Sequence, residues 1–190
     1  KIALTFDDGP SDNTSNILKI LRSYGARATF FVVGRKINGK EKILKNTIKF
    51  GSEIGNHSYN HVSLSFKSKE LAREEIQQTD DKLKEIKIKT KLFRPPYGGI
   101  GYNLHSVARE LDKRIILWDV DPKDWSGVGV KTVTQYILNN ARNGSIIDLH
   151  DFDRSASQNH NLVRILGIVI PRLQKIGYKF VTVSELLNFK

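Results

Sequence analysis

The sequence predicts an α/β protein whose mostly parallel sheet is rolled into a compressed barrel. Short apolar runs alternate with amphipathic segments from one end of the 190 residues to the other, and no linker or low-complexity stretch divides them. Most polar residues of chemical interest stand at or just after the ends of the apolar runs, where parallel α/β folds build their sites. About seven strand–helix units suit a small barrel better than an eight-fold one. An open doubly wound sheet is the alternative, and periodicity alone does not separate the two.

The elements follow in order. Residues 2–6 read as a buried strand. Asn13 or Thr14 can cap a helix carrying Ile17, Leu18, Leu21 and Tyr24, and Gly25 stops it. Residues 28–33 form the next strand, and a helix with Ile43, Leu44, Thr47 and Ile48 ends at Gly51. Ile54 and Gly55 make a brief strand running into His57, and residues 69–86 make a long charged helix with Leu71, Ile76, Leu83 and Ile86 on one stripe. Further short strands are expected at 92–93, 115–118, 146–149 and 180–181, separated by helices around 104–111, 133–141 and 162–175. Thr182 with Glu185 matches a capping box for a last helix.

Composition bounds the function. Cysteine is absent, which excludes disulfides, thiolate catalysis and Cys-type zinc sites. No stretch approaches the ~18 apolar residues of a membrane helix. The chain opens directly in an apolar run, as a catalytic domain trimmed from a longer, exported chain would. With 31 basic against 20 acidic residues the formal net charge is +11, which attracts polyanions such as an anionic cell wall. The lysines lack interleaved aromatics and no nucleic-acid-binding motif accompanies them, so they read as solvated helix faces and nucleic acid is not an expected partner.

Five strand-end segments carry the chemistry: Thr5-Phe6-Asp7-Asp8-Gly9-Pro10, then Gly55 through His61, then Phe93-Arg94-Pro95-Pro96-Tyr97-Gly98, then Trp118 through Trp125, then Ile147-Asp148-Leu149-His150-Asp151. His57 and His61, four apart, can offer two imidazoles to one metal, with a carboxylate as third ligand. Adjacent carboxylates such as Asp7 and Asp8 are costly at one site unless a cation shares them. Taken singly, each segment reads as ordinary: a turn, a pair of surface histidines, an exposed ion pair, a core tryptophan.

Together, in this order and spacing, they resemble the polysaccharide deacetylase family, carbohydrate esterase family 4, along essentially the whole chain. Residues 5–10 look like its TFDDGP signature and 57–61 like its H-[ST]-x-x-H metal motif. Residues 94–98, 121–125 and 147–151 resemble its remaining motifs. The resemblance implies a deformed (β/α)7 barrel and one divalent metal, zinc first and cobalt next, on Asp8, His57 and His61. It implies Asp7 as general base, Arg94 pairing with it, and the Tyr97 backbone N–H as oxyanion donor. It further implies His150 as general acid oriented by Asp124, with Tyr97, Trp125, Asp148 and Leu149 bordering the substrate. Among Asp119, Asp121 and Asp124 we choose Asp124 as the residue that points inward.

One position departs. Two residues before the acid histidine, where the family has an apolar side chain lining the acetyl pocket, this chain has Asp148. Either Asp148 turns outward to a surface partner, or a carboxyl group faces the site. The resemblance implies removal of acetyl groups from an N-acetylglucosamine polymer, peptidoglycan first and chitin oligosaccharides next, outside the cell or at the wall of a bacterium. An O-acetyl esterase acting on xylan and a catalytically weak glycan-binding protein are the alternatives.

Overall fold

A computed structural model of the chain describes residues 1–152 and 156–189. Strands β1 (Ala3–Gly9), β2 (Ala28–Val32), β3 (Glu53–Asn56), β4 (Leu92–Phe93), β5 (Arg114–Ile115) and β6 (Ile146–His150) alternate with helices α1 (Thr14–Ser23), α2 (Glu41–Lys49), α3 (Lys69–Glu85), α4 (Tyr102–Glu110), α5 (Val130–Asn140), α6 (Ala156–Lys175) and α7 (Val183–Leu186). The strands form one parallel sheet in the order β5-β4-β3-β2-β1-β6, curled into a half-barrel, the deformed barrel that the resemblance implies. The largest apolar cluster packs Leu4, Phe6, Phe30, Ile147 and Leu149 against α1, α5 and α6. Their burial is the main source of stability, at roughly 1.5–3 kcal/mol for each large side chain.

Two expected strands shrink. The 115–118 run pairs only through Arg114–Ile115, and Val120 adds a single bridge to Ile147; the 180–181 run is reduced to a bridge between Phe180 and Ile2. In the first case the Ile116 N–H still bonds the Phe93 carbonyl, but the carbonyls that would continue the ladder serve a side chain. The carbonyls of Ile116 and Leu117 accept from the Arg94 guanidinium, and the Asp119 carboxylate accepts from the Ile146 N–H at 2.6 Å. Helix α6 starts at Ala156, ahead of the expected 162.

The caps divide. Thr182 accepts from the Glu185 N–H as expected, at 3.2 Å. Gly25, at φ 60°, closes α1 with its own N–H on Arg22 O and the Ala26 N–H on Leu21 O, a Schellman end. At the other end of α1 neither Asn13 nor Thr14 caps by side chain in the usual way. Ser11 and Thr14 instead donate their hydroxyls to the buried Asp151 carboxylate at the end of β6.

β1 is irregular where the chemistry begins. Its register against β2 shifts between Phe6 and Gly9, and Asp8 takes a left-handed φ of 70°. A regular strand sends successive side chains to opposite faces. The irregularity cancels that alternation and brings two adjacent carboxylates to the same end of the sheet.

Candidate active site

Asp8 at the end of β1 meets His57 and His61 from the loop after β3. Its Oδ1 lies 2.9 Å from His61 Nε2 and 3.5 Å from His57 Nε2. Among the described residues these three are the group whose ligand atoms all lie within 4.8 Å of one another. The His57 Nδ1–H donates to the Arg94 carbonyl at 2.7 Å, which fixes the ring and leaves Nε2 free to ligate. Asp8 Oδ1 is buried without a hydrogen-bond partner. Burial works to raise the Asp8 carboxyl, but the two imidazoles outweigh it and hold the group far below the usual carboxylate range. A buried carboxylate oxygen whose polar neighbours are two imidazole nitrogens fits a divalent cation. Asp8, Ser58, His61 and Tyr97 all hold positive φ without being glycine, a local strain that the surrounding bonds must fix.

The supporting bonds come from residues that carry no motif. Asn56 Nδ2 donates to Ile76 O and to Asp80 Oδ1, both at 2.9 Å, while its Oδ1 accepts the Ser58 N–H. Glu75, buried on α3, accepts from the Tyr59 N–H at 3.0 Å, the Asn60 N–H at 2.8 Å and Asn60 Nδ2 at 2.7 Å. The histidine loop is thus held from beneath by one carboxylate. Its sequence signal was a charge inside the buried stripe of α3, between Ala72, Ile76 and Thr79. Glu75→Ala leaves two backbone N–H groups without acceptors, costing about 1–3 kcal/mol each where they stay dry. We expect a lower melting temperature and weaker zinc binding in a titration of the variant, with Asp8 and both histidines intact.

A second cluster sits beside the first. Arg94, fully buried, lies with its guanidinium carbon 4.2 Å from the Phe31 ring centroid and 5.3 Å from that of Trp118. Its Nη1 approaches Asp7 Oδ1 at 2.8 Å, Asp148 Oδ1 at 2.8 Å and Thr5 Oγ1 at 2.7 Å. Asp7 Oδ2 is 3.6 Å from His57 Nε2, so this carboxylate borders the metal group without belonging to it. On the far side, His150 Nδ1 lies 2.9 Å from Asp124 Oδ1, and the His150 backbone N–H donates to Asp124 Oδ2. Burial works to lower the His150 imidazole, but the Asp124 hydrogen bond and charge overcome it and raise the group to about 9. Asp121 instead accepts from the Lys123 N–H, and Asp119 from Ile146 and Ser145.

The family model for polysaccharide deacetylases matches residues 1–116. The chain belongs to the polysaccharide deacetylase family. Over its whole length it is 39% identical to a peptidoglycan-N-acetylglucosamine deacetylase of Bacillus cereus, of which it spans 89%. It is also 39% identical to a peptidoglycan-N-acetylmuramic acid deacetylase of Bacillus subtilis, of which it spans 39%. The structure of a family 4 acetyl xylan esterase from Clostridium thermocellum, in complex with a cobalt ion, superposes with a TM-score of 0.90. That match has 32% identity and covers 98% of this chain and 90% of the other.

For a polysaccharide deacetylase the remaining expectations sort by geometry. Tyr97 stands at φ 61° with its ring 4.9 Å from that of His61 and 72% exposed, at the mouth of the site. Trp125 follows Asp124 in a short 3-10 turn and is half exposed on the opposite side. Leu149, expected to border the substrate, is fully buried. Strand alternation places it with Ile147 in the main core, while Asp148 and His150 take the other face. A cavity of about 710 Å³ lies at the opposite, N-terminal end of β3, β4 and β5 and includes none of these residues.

Asp148 does not turn to a surface partner. It is 2% exposed and faces Arg94 and Asp7. One guanidinium therefore serves two buried carboxyl groups. Burial first, and then the charge of Asp7, push Asp148 well above the usual carboxylate range, against the pull of Arg94. The folded protein then binds a proton that the unfolded chain releases, so stability falls as pH rises from the unfolded value. Asp148→Asn removes that penalty while keeping an acceptor for Arg94. We expect calorimetry to show a melting temperature about 2–4 °C higher at pH 7, with the gain fading near pH 4.

Proposed function

We propose that this chain hydrolyses the acetamido group of an N-acetylglucosamine-containing polysaccharide, with peptidoglycan the first substrate and chitin oligosaccharides the next. The observation that carries the reading is a metal-type triad, Asp8, His57 and His61, beside a buried Asp7–Arg94 pair, with a His150–Asp124 pair next to Asp7 on the neighbouring strand. The donor set suits zinc, with cobalt next, and such a cation supplies Lewis acidity to the acyl oxygen and to water.

The chain's own residues divide the proton work. Asp7, oriented by its 2.8 Å contact with Arg94, accepts the proton of the attacking water. The Tyr97 N–H faces the oxyanion that forms as water adds to the acyl carbon. His150, charged through Asp124, gives its proton to the leaving nitrogen as the C–N bond breaks, so acetate and a free amine result. A carboxylate beside the water and a charged imidazole beside the leaving nitrogen are what this acid–base division requires. Tyr97 and Trp125 border the sugar from either side. Asp148 forms the rear of the acyl pocket and makes it more polar than an aliphatic wall.

Acetate release from peptidoglycan, chitooligosaccharides and acetylated xylan, each with and without added zinc, tests the reading. Release from the N-acetylated glycans supports it, and release from xylan alone replaces it. The second reading, an O-acetyl esterase, is favoured by the likeness to the acetyl xylan esterase. An ester oxygen leaves with less help than an amine, so the charged His150 favours the amide. Both readings place the protein at a polysaccharide surface, and its +11 charge suits an anionic bacterial wall.

A further inference from the structure

Two loops at the mouth of the site carry aromatic rings that the reaction does not use. Phe66 is fully exposed and Tyr102 is 90% exposed, and Ile100 is partly open beside them in sequence. Single exposed apolar side chains are ordinary, whereas neighbouring ones mark a binding surface. Phe66 follows the histidine loop, and Tyr102 opens α4 just beyond Tyr97.

The two loops are locked together. A Cβ added at Gly99 would collide with the Ser65 hydroxyl, and one added at Gly101 with the Ser65 backbone carbonyl. Asn103 Nδ2 donates to the Lys67 carbonyl at 3.0 Å. Phe66 and Tyr102 each adjoin a residue of that contact in sequence, so the clamp brings the backbones that carry the two rings together. This shelf is continuous with the site, because Tyr97 precedes it in the same loop and meets the His61 ring edge-on at 4.9 Å. Hydroxyls accompany the rings, with Ser63 Oγ 3.5 Å from Ser65 Oγ at the surface.

We infer that Phe66 and Tyr102 form an outer subsite that binds sugar rings of the polysaccharide beyond the one being deacetylated, on the Tyr97 side of the metal group. A pyranose offers an apolar C–H face to an aromatic ring and a rim of hydroxyls to polar neighbours, which matches rings interleaved with serines. The inference rests on the deacetylase reading for its substrate. It makes the enzyme selective for length: a two-sugar substrate fills the catalytic position, and a longer one also covers the shelf.

The test compares the zinc-loaded wild-type chain with a Phe66→Ala/Tyr102→Ala double variant on the dimer and the hexamer of N-acetylglucosamine. The expected result is a drop of about tenfold or more in the ratio of kcat/KM on hexamer to kcat/KM on dimer, carried by KM. A Phe66→Tyr/Tyr102→Phe variant, which keeps both rings, restores the ratio. Calorimetric titration with the hexamer reads binding independently of turnover. If wild type binds hexamer but releases no acetate, the deacetylase reading fails and the shelf is judged by binding alone. An unchanged ratio, an equal loss on both lengths, or equal hexamer binding by wild type and double variant overturns the inference.

Discussion

Asp8→Ala is expected to lose zinc and acetate release together, whereas Asp7→Asn is expected to keep zinc and lose the reaction. The two residues are adjacent in sequence yet stand in different bonds. Asp8 Oδ1 lies between the imidazoles of His57 and His61 with no hydrogen bond of its own, so removing it deletes one of three ligands. Asp7 gives one oxygen to Arg94 and keeps the other 3.6 Å from His57, so its amide analogue leaves the ligand set intact but has no proton affinity. Loss of a general base costs about 10²–10⁴ in kcat. Metal content by mass spectrometry and kcat on a chitooligosaccharide, measured on the same preparations, decide the matter. Zinc lost from Asp7→Asn and retained by Asp8→Ala would reverse the assignment.

The sequence shows these residues and hides what aligns them. The apolar runs locate β1, β2, β3 and β6 because each is buried between helices, and burial leaves a readable signature. β5 is overestimated because the hydrogen bonds of Ile116 and Leu117 go to a side chain distant in sequence. The shift in β1 that turns Asp7 and Asp8 to one end leaves no compositional mark. Strand parity, by contrast, separates Asp148 from Leu149 once the face of His150 is known. Glu75 and Asp151 escape for another reason. Each is a buried carboxylate satisfied by backbone N–H groups or hydroxyls of a remote loop, and that partnership exists only in three dimensions. Asp151 also fixes Gly9, where an added Cβ would stand 2.7 Å from Asp151 Oδ2. The β1 end is therefore braced from β6, and Asp7 and His150 share a frame.

The frame also sets an expectation for the alkaline limb of the pH–rate profile. His150 must be protonated to assist a leaving amine, and Asp124 holds it so up to about pH 9. The rate of amide hydrolysis is therefore expected to hold through neutral pH and fall as pH rises through the imidazolium range. Asp124→Asn removes the charge that favours imidazolium, so the alkaline limb is expected to move to lower pH, with kcat at neutral pH reduced as less of the acid is charged. His150→Ala is expected to lower kcat on an N-acetylated oligosaccharide by about 10²–10⁴. The same variant is expected to lose less on an O-acetyl ester, whose leaving oxygen needs less protonation. Full pH–rate profiles on both substrates make the comparison, because a merely structural role for Asp124 lowers the rate at every pH without displacing the limb. An Asp124→Asn profile of unchanged shape would remove Asp124 from the control of the acid, and equal losses by His150→Ala on amide and ester would remove His150 from protonation of the leaving group.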